Sequence, residues 1–257
     1  ISAIVDSKDV RKAINTLHEE FFSDGKKQIN LYIAGVGTVG SRLLAQIKQQ
    51  ADYIAENLNL NLRVVGLANT KKIIFNEEGI DLDDFKSQIS DAALDSTPEK
   101  IADLIIEKNL RNSIFVDVTA NSELVEIYPK LLKQSVSVVA CNKVAASSNF
   151  EKYQYLKDTA REYNTNFLFE TNVGAGLPII NTLNDLTSSG DKINRIEAVL
   201  SGTLQFVFNN YDGSRSFAEV VKQAQNEGYT EPDPRLDLSG TDVARKILIL
   251  AREAGYK

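Results

Sequence analysis

Apolar positions along this chain recur with two spacings, and the alternation between the two predicts most of its architecture. Val10, Ala13, Ile14, Leu17 and Phe21 stand at helical spacing within residues 7–22, after residues 1–5 that alternate like the end of a strand. A mostly apolar run over 29–34 predicts a buried strand, and further strands are predicted over 62–68, 114–118, 136–140 and 166–170. Between them, helical periodicity covers about 41–56, 98–108, 122–134 and 149–163, whereas residues 73–100 are polar and acidic with little strand signal. Strand and helix in regular alternation predict an α/β fold, a Rossmann-type doubly wound parallel sheet. Beyond Pro178 the pattern changes to a helix ending near Ser188, a strand over 193–200, a glycine turn and a helix through Tyr211. This mixture predicts a second, α+β unit grafted onto the first.

The glycines sharpen that picture. Gly35, Val36, Gly37, Thr38, Val39 and Gly40 follow the first buried strand and open a helix, the context in which a GxGxxG pattern binds a dinucleotide. Gly35 permits the tight turn, Gly37 lets backbone approach a pyrophosphate, and Gly40 allows helix and strand to pack closely, with the helix N-terminus facing the phosphate. The carboxylate that would grip a ribose 2′-hydroxyl is missing where the second strand ends; Asn69, Thr70, Lys71 and Lys72 stand there instead. Those lysines suit a 2′-phosphate, so NADP is expected beside NAD, unless they are solvated loop charges. Thr119, Ala120 and Asn121 end the next strand, where the crevice of such a sheet lies, and Lys143 follows the one after, pointing toward the same crevice. Cys141 reads as a small buried residue with no base beside it. The irregular turn of Gly174, Ala175 and Gly176 offers carbonyls to a cation or to a nicotinamide amide, and Ser201, Gly202 and Thr203 offer backbone donors and a hydroxyl to a small polar ligand.

Residues 231–246, EPDPRLDLSGTDVARK, hold the densest chemistry. Pro232 and Pro234 fix φ, so 231–235 is expected to be stiff and extended, with Glu231 and Asp233 held in set directions. A helix capped by Ser239 or Thr241 then places Asp242 and Lys246 one turn apart on one face, beside Asp237. In isolation such a pair is an ordinary solvated ion pair.

Composition removes whole classes of function. The 257 residues suit two domains, and 43% hydrophobic with 25% charged residues is ordinary for a globular protein. Net charge is −6 with no basic block, which argues against a nucleic-acid partner. No apolar run approaches the roughly 18 residues that span a bilayer, and the N-terminus lacks a signal-peptide layout, so no membrane partner and a cytoplasmic location are expected. A single cysteine and a single histidine exclude an intramolecular disulfide, a thiolate zinc site and histidine clusters. The lack of any methionine, and a last helix with no stop beyond Gly255, suggest a piece of a longer polypeptide.

Taken together, GVGTVG, ANTKK, ACNK, ETNVGAGLPII, LSGTL and the long EGYTEPDPRLDLSGTDVARKILILARE segment resemble the homoserine dehydrogenase family, in the form fused to aspartokinase. The resemblance implies three parts: 1–27, the end of a regulatory ACT-like region with its linker; 28–170, the dinucleotide domain; and 171–257, an incomplete catalytic and dimerisation domain. It further implies NADP- or NAD-dependent interconversion of homoserine and aspartate 4-semialdehyde, a homodimer or higher homo-oligomer, and a covalently linked kinase. By motif, Glu231 matches the residue that grips the substrate's amino group, Asp237 and Asp242 the carboxylates shaping the pocket, and Gly202 with Thr203 the substrate-binding turn. Glu170, Val173, Ala175 and Leu177 match a site for a monovalent cation such as sodium. Lys246 matches the lysine assigned to proton transfer, with Lys143 as a second candidate; the acidic neighbours of Lys246 favour its ammonium, so they orient it or relay protons. A nucleotide-sensing domain without catalysis would lack the EPDPRLD cluster, a semialdehyde dehydrogenase would need a cysteine nucleophile near a histidine, and a purely structural, dimerising piece is separated by assay alone.

Overall fold

A computed structural model describes residues 2–22, 25–230 and 233–256. The chain divides into two units, one of residues 1–145 with 151–169, the other of 146–150 with 170–257.

In the first unit, helix α1 (Val10–Phe22) precedes β1 (Lys27–Ala34), α2 (Thr38–Asn57), β2 (Leu60–Ala68), β3 (Lys72–Phe75), α3 (Phe85–Ser90), β4 (Leu94–Asp95) and α4 (Pro98–Lys108). Then come β5 (Ser113–Asp117), α5 (Tyr128–Leu132), β6 (Ser137–Ala140), α6 (Lys143–Ala146), α7 (Phe150–Glu162) and β7 (Phe167–Leu168). Among the described residues seven strands form one sheet in the order β4-β3-β2-β1-β5-β6-β7. From β2 to β7 all pairings are parallel, as strand–helix alternation predicts. β1 lies at the centre with Leu31 to Ala34 buried, because helices cover both faces of such a sheet. Leu31, Ile33, Leu44, Val64, Leu67 and Val116 build the core on one face with Phe85 and Ile89 of α3.

The structure departs from the sequence expectations at particular points. Residues 2–6 form no strand; Ile4 is fully exposed and no described strand pairs with it. The polar stretch after 72 carries β3 and β4, both antiparallel, so the parallel sheet has an antiparallel edge. The Asn69 side chain makes this possible by accepting from the Lys71 and Lys72 amides at 2.7 Å each, a tight turn that periodicity does not register. The helix predicted over 122–134 is a 3-10 segment, Glu123–Ile127, followed by the short α5 with Pro129 in its first turn. β7 stops at Leu168, and Glu170–Asn172 coil into a 3-10 turn.

The second unit holds α8 (Ile180–Ser188), α9 (Gly202–Asn210), α10 (Phe217–Asn226), α11 (Pro234–Leu238) and α12 (Thr241–Glu253). The expected strand over 193–200 does not form, and no described residue of this unit is in a strand. Apolar composition is not enough; a strand exists only through a ladder with another strand, and no described segment supplies one. Instead, this segment faces α12 across a largely apolar cavity of about 420 Å3 lined by Ile193, Ile196, Leu200, Val243, Ile247 and Leu250, among others. Arg235 is also helical rather than extended: Pro234 occupies the first position of α11, where its missing N–H costs nothing, and Asp233 caps it. α12 starts after Gly240, whose φ of 72° suits glycine, while Ser239 accepts from the Thr241 amide at 3.2 Å.

Candidate functional site

The C-terminal ends of β1, β2 and β5 open onto a cavity of about 960 Å3 in the first unit. Gly35, Val36, Gly37, Asn69, Thr70, Thr119 and Asn121 line it, seven of the residues expected to border a nucleotide. The backbone explains the glycines. Gly35 has φ +101°, and a Cβ there would come within 2.9 Å of the Val118 carbonyl oxygen. A Cβ on Gly40 would lie 1.9 Å from the Gly35 carbonyl oxygen, so α2 can approach the turn only without one. Gly37, by contrast, has open space where a side chain would go. It is also the N-cap of α2, which no side chain caps, leaving the first helical amides as donors for an anion.

Thr38, Val39, Gly40, Lys71, Ala120 and Lys143 do not line this cavity, and Gly176 belongs to the second unit. Of the two lysines after β2, Lys72 is committed to Asp95 across the β3–β4 pair at 3.0 Å, and this hydrogen bond holds the Asp95 carboxyl below its ordinary value. Lys71 stays exposed next to Thr70. Sequence reasoning missed the far wall, where Ser96, Thr97, Pro98 and Glu99 begin α4. The legible signal was Thr97 before Pro98, an N-cap followed by proline at the first helical position; Thr97 accepts from the Lys100 amide at 3.2 Å. Cys141 is only half-buried, because β6 ends there and the chain emerges at the crevice end of the sheet.

The second unit gathers a polar cluster at the N-terminus of α9. Ser201 caps that helix, accepting from the Leu204 amide at 3.1 Å, and leaves the Gly202 and Thr203 backbone at its positive end. Thr203 is buried, and its hydroxyl bridges the Tyr229 carbonyl and, at 3.0 Å, the Asp237 carboxylate. One turn into α12, the Lys246 ammonium meets Asp242 at 2.7 Å and donates to the Leu200 carbonyl at 2.8 Å, directly before the Ser201 turn. The Lys246 side chain is 21% exposed, so it is no free surface charge. Thus Gly202, Thr203, Asp237, Asp242 and Lys246 lie around one helix start. Asp233 is instead paired with Arg235, whose hydrogen bonds hold its carboxyl low. Glu231, the expected ligand for an amino group, lies outside the described residues.

Glu170 does something the sequence did not suggest. Its carboxylate accepts from the Ile180 and Asn181 amides at 2.8 Å each, capping α8 across the Gly174–Gly176 turn. Within that turn Gly174 and Ala175 are both left-handed, with φ of 76° and 51°. The carbonyls of Glu170, Gly174 and Leu177 each accept a backbone N–H there, whereas among the described residues no backbone N–H reaches those of Val173 and Ala175. Among the described residues no cluster of histidine, cysteine and carboxylate side chains has the makings of a metal site.

Residues 35–170 match the family profile described as homoserine dehydrogenase, NAD binding domain, and residues 178–257 match that described as homoserine dehydrogenase. The chain belongs to the homoserine dehydrogenase family. Over its whole length it is 41% identical to bifunctional aspartokinase/homoserine dehydrogenase 2, chloroplastic, of Arabidopsis thaliana, and 39% identical to the bifunctional aspartokinase/homoserine dehydrogenase of Haemophilus influenzae. It spans 28% and 31% of those two proteins. A hyperthermophilic archaeal homoserine dehydrogenase solved with NADPH is similar in fold, with a TM-score of 0.72 and 27% identity over 88% of this chain and 70% of that one. No helix of the described residues is long and apolar enough to cross a membrane.

Proposed function

We propose that this chain is the dehydrogenase part of a bifunctional aspartokinase/homoserine dehydrogenase, and that it interconverts L-homoserine and L-aspartate 4-semialdehyde with NADP or NAD. The observation that carries the reading is Lys246, held by a carboxylate and a carbonyl beside the Ser201–Thr203 turn, in a chain whose other unit has an uncapped helix start at its glycine turn. NADP supplies the hydride acceptor and donor when bound, seated on residues 35–40, with Thr70, Thr119 and Asn121 around it. An ammonium so placed is a proton donor toward the carbonyl oxygen of the semialdehyde, which leaves a neutral amine, and in the reverse direction that neutral amine receives the hydroxyl proton of homoserine. Asp242 orients it. Asp237 and Thr203 shape the small polar pocket, and Glu231 grips the substrate's ammonium. Lys143 is the second candidate for the proton. The exposed Lys71 favours NADP through its 2′-phosphate.

On the same reading, residues 1–27 link to a covalently attached kinase, 28–170 hold the nucleotide and 171–257 the substrate, in a cytoplasmic homodimer or larger homo-oligomer. The turn after Glu170 fits a monovalent cation through main-chain carbonyls, since among the described residues those of Val173 and Ala175 take no backbone N–H and those of Glu170 and Leu177 each keep a lone pair. A test follows the absorbance of reduced nicotinamide with the intact polypeptide, L-homoserine and each cofactor, with and without sodium. Homoserine-dependent reduction that favours NADP supports the reading; nucleotide binding without turnover would instead favour a sensing domain.

A further inference from the structure

Asp117 ends β5 at the crevice side of the sheet and is fully buried. A buried carboxylate is costly unless donors surround it. One oxygen accepts from the Thr119 amide at 2.8 Å; the other accepts from the Tyr128 hydroxyl at 2.5 Å and from the Asn142 amide group at 3.0 Å. No basic side chain of the described residues pairs with it. Tyr128 is fully buried too, and burial first, then the neighbouring carboxylate, pushes its phenol well above the ordinary value, so it stays a donor.

Asn142 extends the network in two directions. Its amide also donates to the Asn121 carbonyl at 2.9 Å, and its side-chain oxygen accepts from the Val144 amide at 3.1 Å, at the start of the short helix that begins with Lys143. Thr119 and Asn121 line the nucleotide cavity, and the Thr119 methyl is 3.0 Å from where a Cβ on Gly35 would stand. One carboxylate and one amide therefore fasten the cavity's Thr119–Asn121 wall to the turn that carries Lys143. Of the Asn142 amide's donations, one goes to the Asp117 carboxylate and one to the Asn121 carbonyl.

We infer that Asp117 and Asn142 are positioning residues, setting the nucleotide wall and the Lys143 turn as one hydrogen-bonded unit, so that nucleotide affinity and turnover depend on them without their touching either ligand. The inference rests on the cavity being the NADP site. Asn142→Ala removes the links of that side chain to Asp117, Asn121 and Val144. Asn142→Asp keeps the acceptor for Val144 but sets a second carboxylate against Asp117, beside Tyr128 and Cys141, the other titratable groups there. NADPH titration of the full polypeptide should show dissociation constants about tenfold or more above wild type for Asn142→Ala, the scale of a buried acceptor left unpaired. Asn142→Asp should bind NADPH more weakly as pH rises, because like charges then face each other, and should recover as the pair takes up a proton. Wild type should show no such step, and kcat with homoserine should fall along with affinity in both variants. Wild-type affinity in both variants across pH, with only the melting temperature lowered, would overturn the inference. Failure of the wild-type protein itself to bind NADPH would overturn the nucleotide reading beneath it.

Discussion

Gly37→Val and Gly40→Ala alter glycines three residues apart, and the structure assigns them opposite consequences. A Cβ at position 40 would lie 1.9 Å from the Gly35 carbonyl oxygen and 2.8 Å from its carbon. No rotamer moves a Cβ, so the turn and α2 must separate by roughly 1.5 Å or more to restore ordinary contact. Overpacking of this kind costs about 1–3 kcal/mol, several degrees in melting temperature for a domain of this size. At Gly37 nothing stands within 4 Å of the added atom, and φ is −72°, a value any residue adopts. Stability should therefore hold. The valine side chain would instead fill the space before the α2 amides, where hydrogen bonds to a charged phosphate are each worth about 1.5–3 kcal/mol. Loss of one or two weakens NADPH by about 100-fold or more. Fluorescence titration and thermal melting of both variants separate the two effects. A Gly37→Val protein that binds NADPH like wild type, or a Gly40→Ala protein that melts like it, would refute the reasoning.

Lys71→Ala should weaken NADP by about 1–3 kcal/mol and spare NAD, while Lys72→Ala, whose ammonium is taken by Asp95, should change neither much; the ratio of dissociation constants for the two cofactors reads this directly. Thr203→Val strips the hydroxyl that joins the Asp237 carboxylate to the Tyr229 carbonyl, and should raise KM for homoserine more than it lowers kcat in steady-state assays. Arg252 is buried and donates to the Ala146 and Ser148 carbonyls at 2.7 and 2.6 Å. Arg252→Met should cost about 2–3 kcal/mol in denaturant unfolding, since those carbonyls lose a charged donor.

The parallel sheet was legible because buried strands 29–34, 62–68 and 114–118 alternate with amphipathic helices, and the glycine turn because its spacing falls between a strand and a helix. β3 and β4 were not, because two- and four-residue edge strands leave no periodicity and rest on the Asn69 turn. The error over 193–200 has the opposite cause: the pattern reports apolar character, while strand formation depends on a partner elsewhere. In the site, the Asp242–Lys246 pair followed from helical spacing alone. The Leu200 carbonyl as second partner of Lys246, and Asp117 with Asn142 beneath the nucleotide wall, are contacts between segments far apart in sequence, which no local spacing encodes.

The proton-transfer assignment is tested most directly by steady-state oxidation of L-homoserine by NADP, comparing the intact wild-type polypeptide with Lys246→Ala and Lys143→Ala. The account predicts a fall in kcat of about 10² to 10⁴ for Lys246→Ala, the usual worth of a positioned acid or base, with NADPH affinity nearly unchanged. Near-wild-type kcat in Lys246→Ala, together with its loss in Lys143→Ala, would contradict it.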